Sequence, residues 1–199
     1  MLMKRLAGVW EQAPDAETGI GIWLALNADG TAVLSSGVME DFNYNFDGKK
    51  LIVVDADDPE DVKQISTIAL NGDRMVETNT ENGQSAAFVR VAIDGKTPLA
   101  GAWKRDLSNE KPAADLAPAE VEKRRVTAES GRYYYTADGR LYVRIPVDIQ
   151  RGTWTTQDGK LMLTLGDKQQ ESTVHLNDAE RELTLSQQGG QQTYHRADY

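Results

Sequence analysis

The side chains of this sequence that could perform acid–base or metal chemistry are few and widely spaced. The 199 residues include two histidines, His175 and His195, and no cysteine, which removes thiolate nucleophiles and thiolate metal ligands. Neither histidine stands at metal-ligand spacing from another ligand residue, and no nucleophile elbow accompanies them. The sequence therefore predicts that the protein is not an enzyme, holds no metal ion and uses no cofactor.

One acidic stretch, Asp55–Asp61, offers oxygen ligands in series. It has the sequence DADDPED, and carboxylate oxygens are the ligands that calcium prefers. The stretch lacks both the ligand spacing and the glycine of an EF-hand loop. We therefore interpret it as a solvated loop between two strands.

The charge balance excludes two classes of partner. The chain carries 31 acidic and 22 basic residues, for a formal net charge of −9, whereas nucleic-acid binding needs a cationic surface that displaces counterions. Anionic membrane surfaces are disfavoured for the same reason, and no apolar run reaches the roughly 18 residues that a spanning helix needs. We predict no nucleic-acid partner and no membrane insertion.

A basic and aromatic stretch, Arg132–Arg144, is a candidate recognition surface. Strand alternation would place Arg140, Tyr142 and Arg144 on one face. That face is either the ordinary exterior of a sheet or a patch that binds an acidic ligand or a protein partner, and the sequence leaves both alternatives open.

A repeated phrase shows how these residues must be positioned. The sequence LAGVW at Leu6–Trp10 returns as LAGAW at Leu99–Trp103. The features that follow keep the same order in both halves, and each half closes on an aromatic residue, one further residue and an arginine, Arg90 and Arg196. Self-similarity at this period indicates a tandem duplication. We predict two domains, residues 1–95 and residues 96–199.

Each half has the pattern of an antiparallel β-meander. Apolar and polar residues alternate between Asp-Gly or Asn-Gly pairs, which favour two-residue hairpin turns. These pairs end at Gly30, Gly48, Gly72, Gly83, Gly95, Gly139 and Gly159. About eight strands per half can close on themselves and so remove their edges. The predicted fold is all-β: two eight-stranded up-and-down antiparallel barrels in tandem.

The second half alone contains a predicted helical insertion, at about residues 112–127. Pro118 suits the first turn of a helix, and Glu120 precedes Arg124 by four residues, which predicts a short helix over about Pro118–Val126. The helix either caps an open barrel end or forms a lid over a pocket, and the sequence leaves these alternatives open.

Together these features resemble the lipocalin-like (calycin-type) β-barrels, and most closely the short bacterial lipocalin-like domains, here in tandem. The resemblance rests on Gly8-Val9-Trp10, on Gly101-Ala102-Trp103 and on the arginine of the last strand in each half. It implies that Arg90 lies over the ring of Trp10, and Arg196 over that of Trp103. Cation–π contact and guanidinium hydrogen bonds would then close the base of each barrel.

The resemblance also implies a binding function, and the inward strand faces supply the candidate pocket residues. These are Phe42, Tyr44 and Phe46 in the first barrel and Tyr133, Tyr135 and Trp154 in the second. The first hypothesis is a non-enzymatic binding protein that holds a small apolar or amphipathic molecule in a barrel. The alternative is a protein-interaction module with filled barrels, which acts through the interdomain groove or the basic-aromatic face. A cavity of about 300 Å3 or more would favour the first hypothesis.

The N-terminus bears on location. It has a basic start, MLMKR, without the apolar core of a signal peptide. This predicts a cytoplasmic location for the chain as written, and a periplasmic or exported one if a leader precedes it. The oligomeric state stays open.

Overall fold

The protein is all-β in the computed structural model, which describes residues 2–93, 97–108, 117–177, 179–187 and 189–197. Those residues form two helices and fourteen strands. The helices are α1 (Leu2–Leu6) and α2 (Pro118–Ser130). The strands are β1 (Gly8–Gln12), β2 (Ile20–Leu26), β3 (Thr31–Phe46), β4 (Lys50–Asp55), β5 (Val62–Asn71), β6 (Arg74–Asn79), β7 (Ser85–Ile93), β8 (Gly101–Arg105), β9 (Arg132–Tyr135), β10 (Arg140–Gln157), β11 (Lys160–Leu165), β12 (Lys168–Leu176), β13 (Glu182–Gln187) and β14 (Gly190–Arg196).

Consecutive strands pair antiparallel throughout, so the predicted all-β, up-and-down architecture is confirmed. The order of strands closes on itself because β1 also pairs with β14, where Trp10 stands opposite Arg196. In addition, β3 pairs with β10. The structure thus forms one ring of fourteen strands among its described residues, and two separate eight-stranded barrels are not confirmed. Six of the seven predicted hairpin glycines have positive φ, as such turns require, and Gly95 lies outside the described residues.

The chain packs as two units that differ from the predicted consecutive halves. Unit 1 joins Met1–Val38 to Pro146–Asp198, and unit 2 is Met39–Ile145. Both boundaries fall inside long strands, within β3 and within β10. The structure has one uninterrupted strand of 16 residues in β3. Each half therefore has seven strands rather than about eight, and each contributes to both units.

Unit 1 has an aliphatic core around two indoles. The indole of Trp154 donates from Nε1 to the carbonyl oxygen of Asn27, at 2.8 Å, and the Trp154 backbone N–H donates to the carbonyl of Gly30, also at 2.8 Å. The other members are fully or almost fully buried: Leu6, Trp10, Leu24, Leu26, Ala32, Leu161, Leu163, Leu165, Leu183, Leu185 and Tyr194.

Unit 2 has a more aromatic core. Tyr44 meets the edge of Tyr135 with ring centroids 5.2 Å apart, and its hydroxyl donates to the carbonyl of Thr136 at 2.6 Å. The Tyr44 backbone N–H donates to the carbonyl of Gly139 at 2.7 Å. The buried members of this core are Leu51, Val53, Ile68, Met75, Phe88, Leu99, Trp103, Tyr135, Leu141 and Val143.

Helix α2 begins at Pro118, as predicted, and extends four residues beyond the predicted end; the predicted residues 112–116 lie outside the described part of the chain. None of its side chains is buried. Arg125 forms ion pairs with Glu122 at 2.7 Å and Glu129 at 3.0 Å, so the helix is held mainly by contacts along its own surface. Helix α1 was not predicted. Within the described ranges, no helix is long and apolar enough to cross a bilayer.

Candidate functional site

Each unit contains one arginine stacked over one tryptophan, but the partners are exchanged relative to the prediction. The Cζ atom of Arg196 lies 4.3 Å from the ring centroid of Trp10 in unit 1. In unit 2, Arg90 lies 4.2 Å from the ring of Trp103. The predicted cation–π contact is confirmed, whereas the predicted pairing of Trp10 with Arg90 and of Trp103 with Arg196 is wrong. The partners are exchanged because β3 and β10 each run from one unit into the other, so each unit contains strands from both halves of the sequence.

In each unit, backbone carbonyls of the repeated LAGxW phrase accept hydrogen bonds from the tryptophan indole and from the stacked arginine. In unit 1, Trp10 Nε1 donates to the carbonyl of Leu6 at 2.7 Å, and Nη1 of Arg196 donates to the carbonyl of Ala7 at 3.1 Å. A Cβ atom at Gly8, whose φ is +143°, would lie 2.8 Å from that Nη1 atom. Glycine is therefore needed where the guanidinium crosses the strand.

The second copy of the phrase makes the same contacts. Trp103 Nε1 donates to the carbonyl of Leu99 at 2.8 Å, and Nη1 of Arg90 donates to the carbonyl of Ala100 at 2.5 Å. A Cβ atom at Gly101 would lie 2.3 Å from the carbonyl oxygen of Ala92. These shared contacts explain the repeat as a structural element in both units.

The predicted pocket residues are distributed differently from the expectation. Phe42, Tyr44 and Phe46 pack against the same core as Tyr133 and Tyr135, in unit 2. The sixth residue, Trp154, belongs to the unit 1 core. Five of the six candidates thus converge, because the second part of β3 lies in unit 2 and the second part of β10 in unit 1.

Unit 2 also holds a polar cluster that was not predicted from the sequence. Gln64 Nε2 donates to the carboxylate of Glu77 at 2.6 Å and to the hydroxyl of Ser66 at 2.8 Å. Ser66 is fully buried, and its hydroxyl also hydrogen-bonds to Glu77. Arg105 is close enough to act on Glu77 electrostatically. A signal was present, because Glu77 follows inward-facing Met75 by two residues and so shares its face.

Burial sets the protonation behaviour of this cluster. Desolvation raises the pKa of Glu77 above the usual range of a carboxyl, against the lowering effects of the bonds from Ser66 and Gln64 and of the Arg105 charge. Desolvation likewise raises the pKa of Tyr133 above its ordinary value of 10.0. Its hydroxyl therefore stays protonated near neutral pH and remains a hydrogen-bond donor.

The equivalent positions of unit 1 carry neutral residues. Trp103 pairs with Tyr133 in unit 2, as Trp10 pairs with Leu24 in unit 1, so Leu24 occupies the place of Tyr133. Counting two residues past each tryptophan, Gln12 takes the place of Arg105. On β6, Met75 pairs with Phe88, and Glu77 follows Met75 by two residues. On β13, Leu183 pairs with Tyr194, and Leu185 follows Leu183 by two residues. Leu185 therefore takes the place of Glu77. The charged cluster therefore belongs to unit 2 and is not needed to close a unit of this kind.

A cavity of about 250 Å3 lies beside the cluster and beneath α2. Arg105, Tyr133 and Ile145 line it from the strands, and the residues that line it from the helix are Glu120, Lys123, Arg124, Thr127 and Ala128. Its volume is somewhat below the 300 Å3 that we took as favouring a ligand, and its walls are mixed rather than apolar. The arrangement provides a cation and a phenol next to an aliphatic wall.

Two further cavities lie in unit 2, of about 340 and 290 Å3. The larger one includes the predicted pocket residues Tyr44 and Phe46, and it is closed by the turn that contains Asp138. The smaller one lies against Arg125 and Lys104. Arg105 also lines the smaller cavity, but neither of these two cavities includes Tyr133 in its lining, whereas the cavity beneath α2 includes both Arg105 and Tyr133, so we take it as the candidate site.

The other candidate residues have structural contacts of their own. Tyr142 and Arg144, predicted to form an exposed basic-aromatic face, are buried, since Arg144 Nη1 lies 2.7 Å from the carboxylate of Asp41 and forms an ion pair with it. In the acidic loop, Lys63 forms ion pairs with Asp55 and Asp61. No group of three or more potential metal ligands exists among the described residues.

Comparison with known proteins gives no further assignment. The chain matches no family model, no curated protein and no solved structure. The candidate site therefore rests on its own geometry.

The raised pKa of Glu77 predicts a pH-dependent stability that Glu77→Gln removes. A carboxyl with a higher pKa in the folded state contributes stability that is complete below its unfolded pKa and is lost as pH rises through the folded pKa. The free energy of unfolding of the native sequence, minus that of Glu77→Gln, should therefore fall as pH rises. Urea unfolding of both proteins over a pH series measures it. A difference that grows with pH would contradict burial as the dominant cause.

Proposed function

We propose that this protein is a non-enzymatic binding protein that holds one small amphipathic molecule in unit 2, in the cavity beneath α2. The observation that carries the proposal is the meeting of an aliphatic wall, formed by Ile145 and Ala128, with the polar side chains of Arg105 and Tyr133 at one cavity. Binding sites are typically concave and largely apolar, with a few polar groups that fix orientation.

The contrast between the two units supports a role beyond folding. Buried charges cost free energy unless they are paired and hydrogen-bonded. Unit 1 has uncharged residues at the positions that correspond to Glu77, Arg105 and Tyr133. These residues are Leu185, Gln12 and Leu24. Unit 2 has charged residues at two of these positions, and one of them, Arg105, lines the cavity beneath α2.

The lipocalin-like fold is part of the same proposal, in the form of two eight-stranded barrels. Unit 1 contains parts of β3 and β10 with six other strands, and unit 2 contains the remaining parts with six others. Closure of each barrel is supported by a backbone hydrogen bond between one long strand and the turn that precedes the other, Trp154 to Gly30 and Tyr44 to Gly139. The stacked arginine of each unit supports it further.

We assign α2 the role of a lid rather than a cap. Its side chains are not buried, and its ion pairs lie within the helix, so it can move from the cavity without exposing a packed core. The alternative function, a protein-interaction module, is less well supported because Tyr142 and Arg144 of its basic-aromatic face are buried.

Filling the cavity should abolish binding of a neutral amphipathic probe. We expect the full-length protein to bind N-phenyl-1-naphthylamine saturably at one site, measured by fluorescence with excitation beyond tryptophan absorption. Ala128→Trp places an indole in the cavity and should weaken binding by about tenfold or more, which corresponds to about 1.4 kcal/mol.

Ala119→Trp is the matched control, since it makes the same change at an exposed position of the same helix that does not line the cavity. Its affinity should stay within about twofold of the native sequence. Non-saturable binding, or equal loss in both variants, would overturn the proposed site.

A further inference from the structure

The walls of the cavity beneath α2 have a charge opposite to that of the whole protein. Arg105, Lys123 and Arg124 line it, and among its described lining residues Glu120 is the one acidic side chain. Glu120 is already engaged, because its carboxylate lies 3.4 Å from Nε of Arg124. A chain with a formal net charge of −9 thus has a cavity with an excess of cations.

Two carboxylates act electrostatically on Tyr133, those of Glu77 and Glu40, and neither residue lines the cavity. Glu77 is not part of the wall, and its carboxylate accepts hydrogen bonds from Gln64 and Ser66. Arg105 acts on Glu77 electrostatically and also lines the cavity.

A neutral ligand would bind these positively charged walls less favourably than an anionic ligand. Covering cations with an apolar ligand removes water from them without giving a counter-charge, which costs free energy. An oxyanion would accept hydrogen bonds from the guanidinium fork, from an ammonium group and from the phenol of Tyr133, and charge-assisted bonds of this kind are stronger than neutral ones.

We infer that the ligand of this cavity is an anionic amphiphile, whose oxyanion head is bound by Arg105, Lys123 and Tyr133 while its apolar part lies against Ile145 and Ala128. The inference rests on the proposed function, and it adds the chemical class of the ligand. Arg105 is the residue that determines charge selectivity, because its counterpart in unit 1 is Gln12.

Two fluorescent probes that share one ring system test the charge preference. The anion 8-anilinonaphthalene-1-sulfonate carries a sulfonate that N-phenyl-1-naphthylamine lacks. We expect the full-length protein to bind the anion at least about tenfold more tightly. Arg105→Gln, which introduces the unit 1 residue, should weaken binding of the anion and so reduce this preference to about twofold or less. Lys123→Gln should reduce it partly.

Lys104→Gln is the control for Arg105→Gln, because it removes one positive charge from the adjacent residue of the same strand, which does not line the cavity beneath α2. It should leave the preference intact. A cooperative urea transition shows that each variant is folded, and Lys123→Gln on the exposed helix keeps the test decisive if Arg105→Gln does not fold.

The possible failures are distinguishable. If the neutral probe binds saturably, and Ala128→Trp blocks it, but the anion binds no more tightly, the anionic ligand class is wrong and the proposed function stands. The ligand class is also wrong, with the proposed function intact, if Arg105→Gln and Lys104→Gln change the preference equally. If neither probe binds at one saturable site, both the ligand class and the proposed function are overturned.

Discussion

Residues 39–145 should fold as an isolated polypeptide, whereas neither residues 1–95 nor residues 96–199 should fold alone, although the three fragments have similar lengths. Fragment 1–95 keeps Met75 and Phe88 of the unit 2 core and lacks Trp103, Tyr135 and Leu141. It also lacks most of the apolar residues of the unit 1 core. Burial of each such side chain contributes roughly 1.5–3 kcal/mol, and net stabilities are only about 5–15 kcal/mol, so the loss exceeds what a fragment can tolerate.

Circular dichroism and amide proton dispersion measure folding of each fragment. Fragments 1–95 and 96–199 should give spectra of unfolded chains separately and a dispersed β-sheet spectrum when mixed, because together they restore both cores. Fragment 39–145 should show dispersed resonances and a cooperative urea transition by itself. Cooperative folding of 1–95 alone would contradict the division at Val38/Met39 and Ile145/Pro146 and would restore the consecutive domains predicted from the sequence.

The strands and turns of this protein are predictable from local sequence because each is decided by local chemistry. Alternation places Leu161, Leu163 and Leu165 on one face, and all three are buried. The hairpin turns favour positive φ at the glycine of each Asp-Gly pair, and the described glycines of these pairs have it. The stack of an arginine over a tryptophan, by contrast, was predicted from the resemblance to lipocalin-like barrels and not from local pattern.

The grouping of strands into units was not predictable, for a physical reason. The two halves are similar, so a strand of one half can pair with equivalent strands of either half, and local pattern does not choose between them. The grouping of strands into units depends on the middle of β3, where the residue types of Ser35-Ser36-Gly37 are compatible with either a turn or a continuing strand. The strand continues, with Ser35 and Gly37 both buried, and the contacts of every later element change with it.

The polar cluster of unit 2 was missed for a different reason. We selected pocket candidates by aromatic type on inward faces, and this criterion does not include Glu77 or Gln64. Their parity with Met75 and Ile68 already placed them inside. A charged residue at an inward position is the informative exception in a strand pattern, because burial of a charge needs compensation.

Arg196→Met should destabilise unit 1 and Arg90→Met should destabilise unit 2, each by about 2–4 kcal/mol, because each removes a cation–π contact and hydrogen bonds to backbone carbonyls. Methionine keeps much of the aliphatic volume and removes the guanidinium. The indole resonance of Trp10 should move in Arg196→Met, and that of Trp103 in Arg90→Met. Two-dimensional 15N spectra and amide hydrogen exchange measure these effects separately in each unit.

Arg151→Met is the control, since Arg151 is an exposed arginine of unit 1 and its loss should move neither the Trp10 nor the Trp103 resonance. The decisive comparison is between the two stacked arginines. If each tryptophan belonged with the arginine of its own sequence repeat, Arg90→Met would move Trp10 and accelerate exchange in Leu24 and Leu26. In the exchanged arrangement those amides keep their protection in Arg90→Met and lose it in Arg196→Met, because only Arg196 lies over the indole that packs with them.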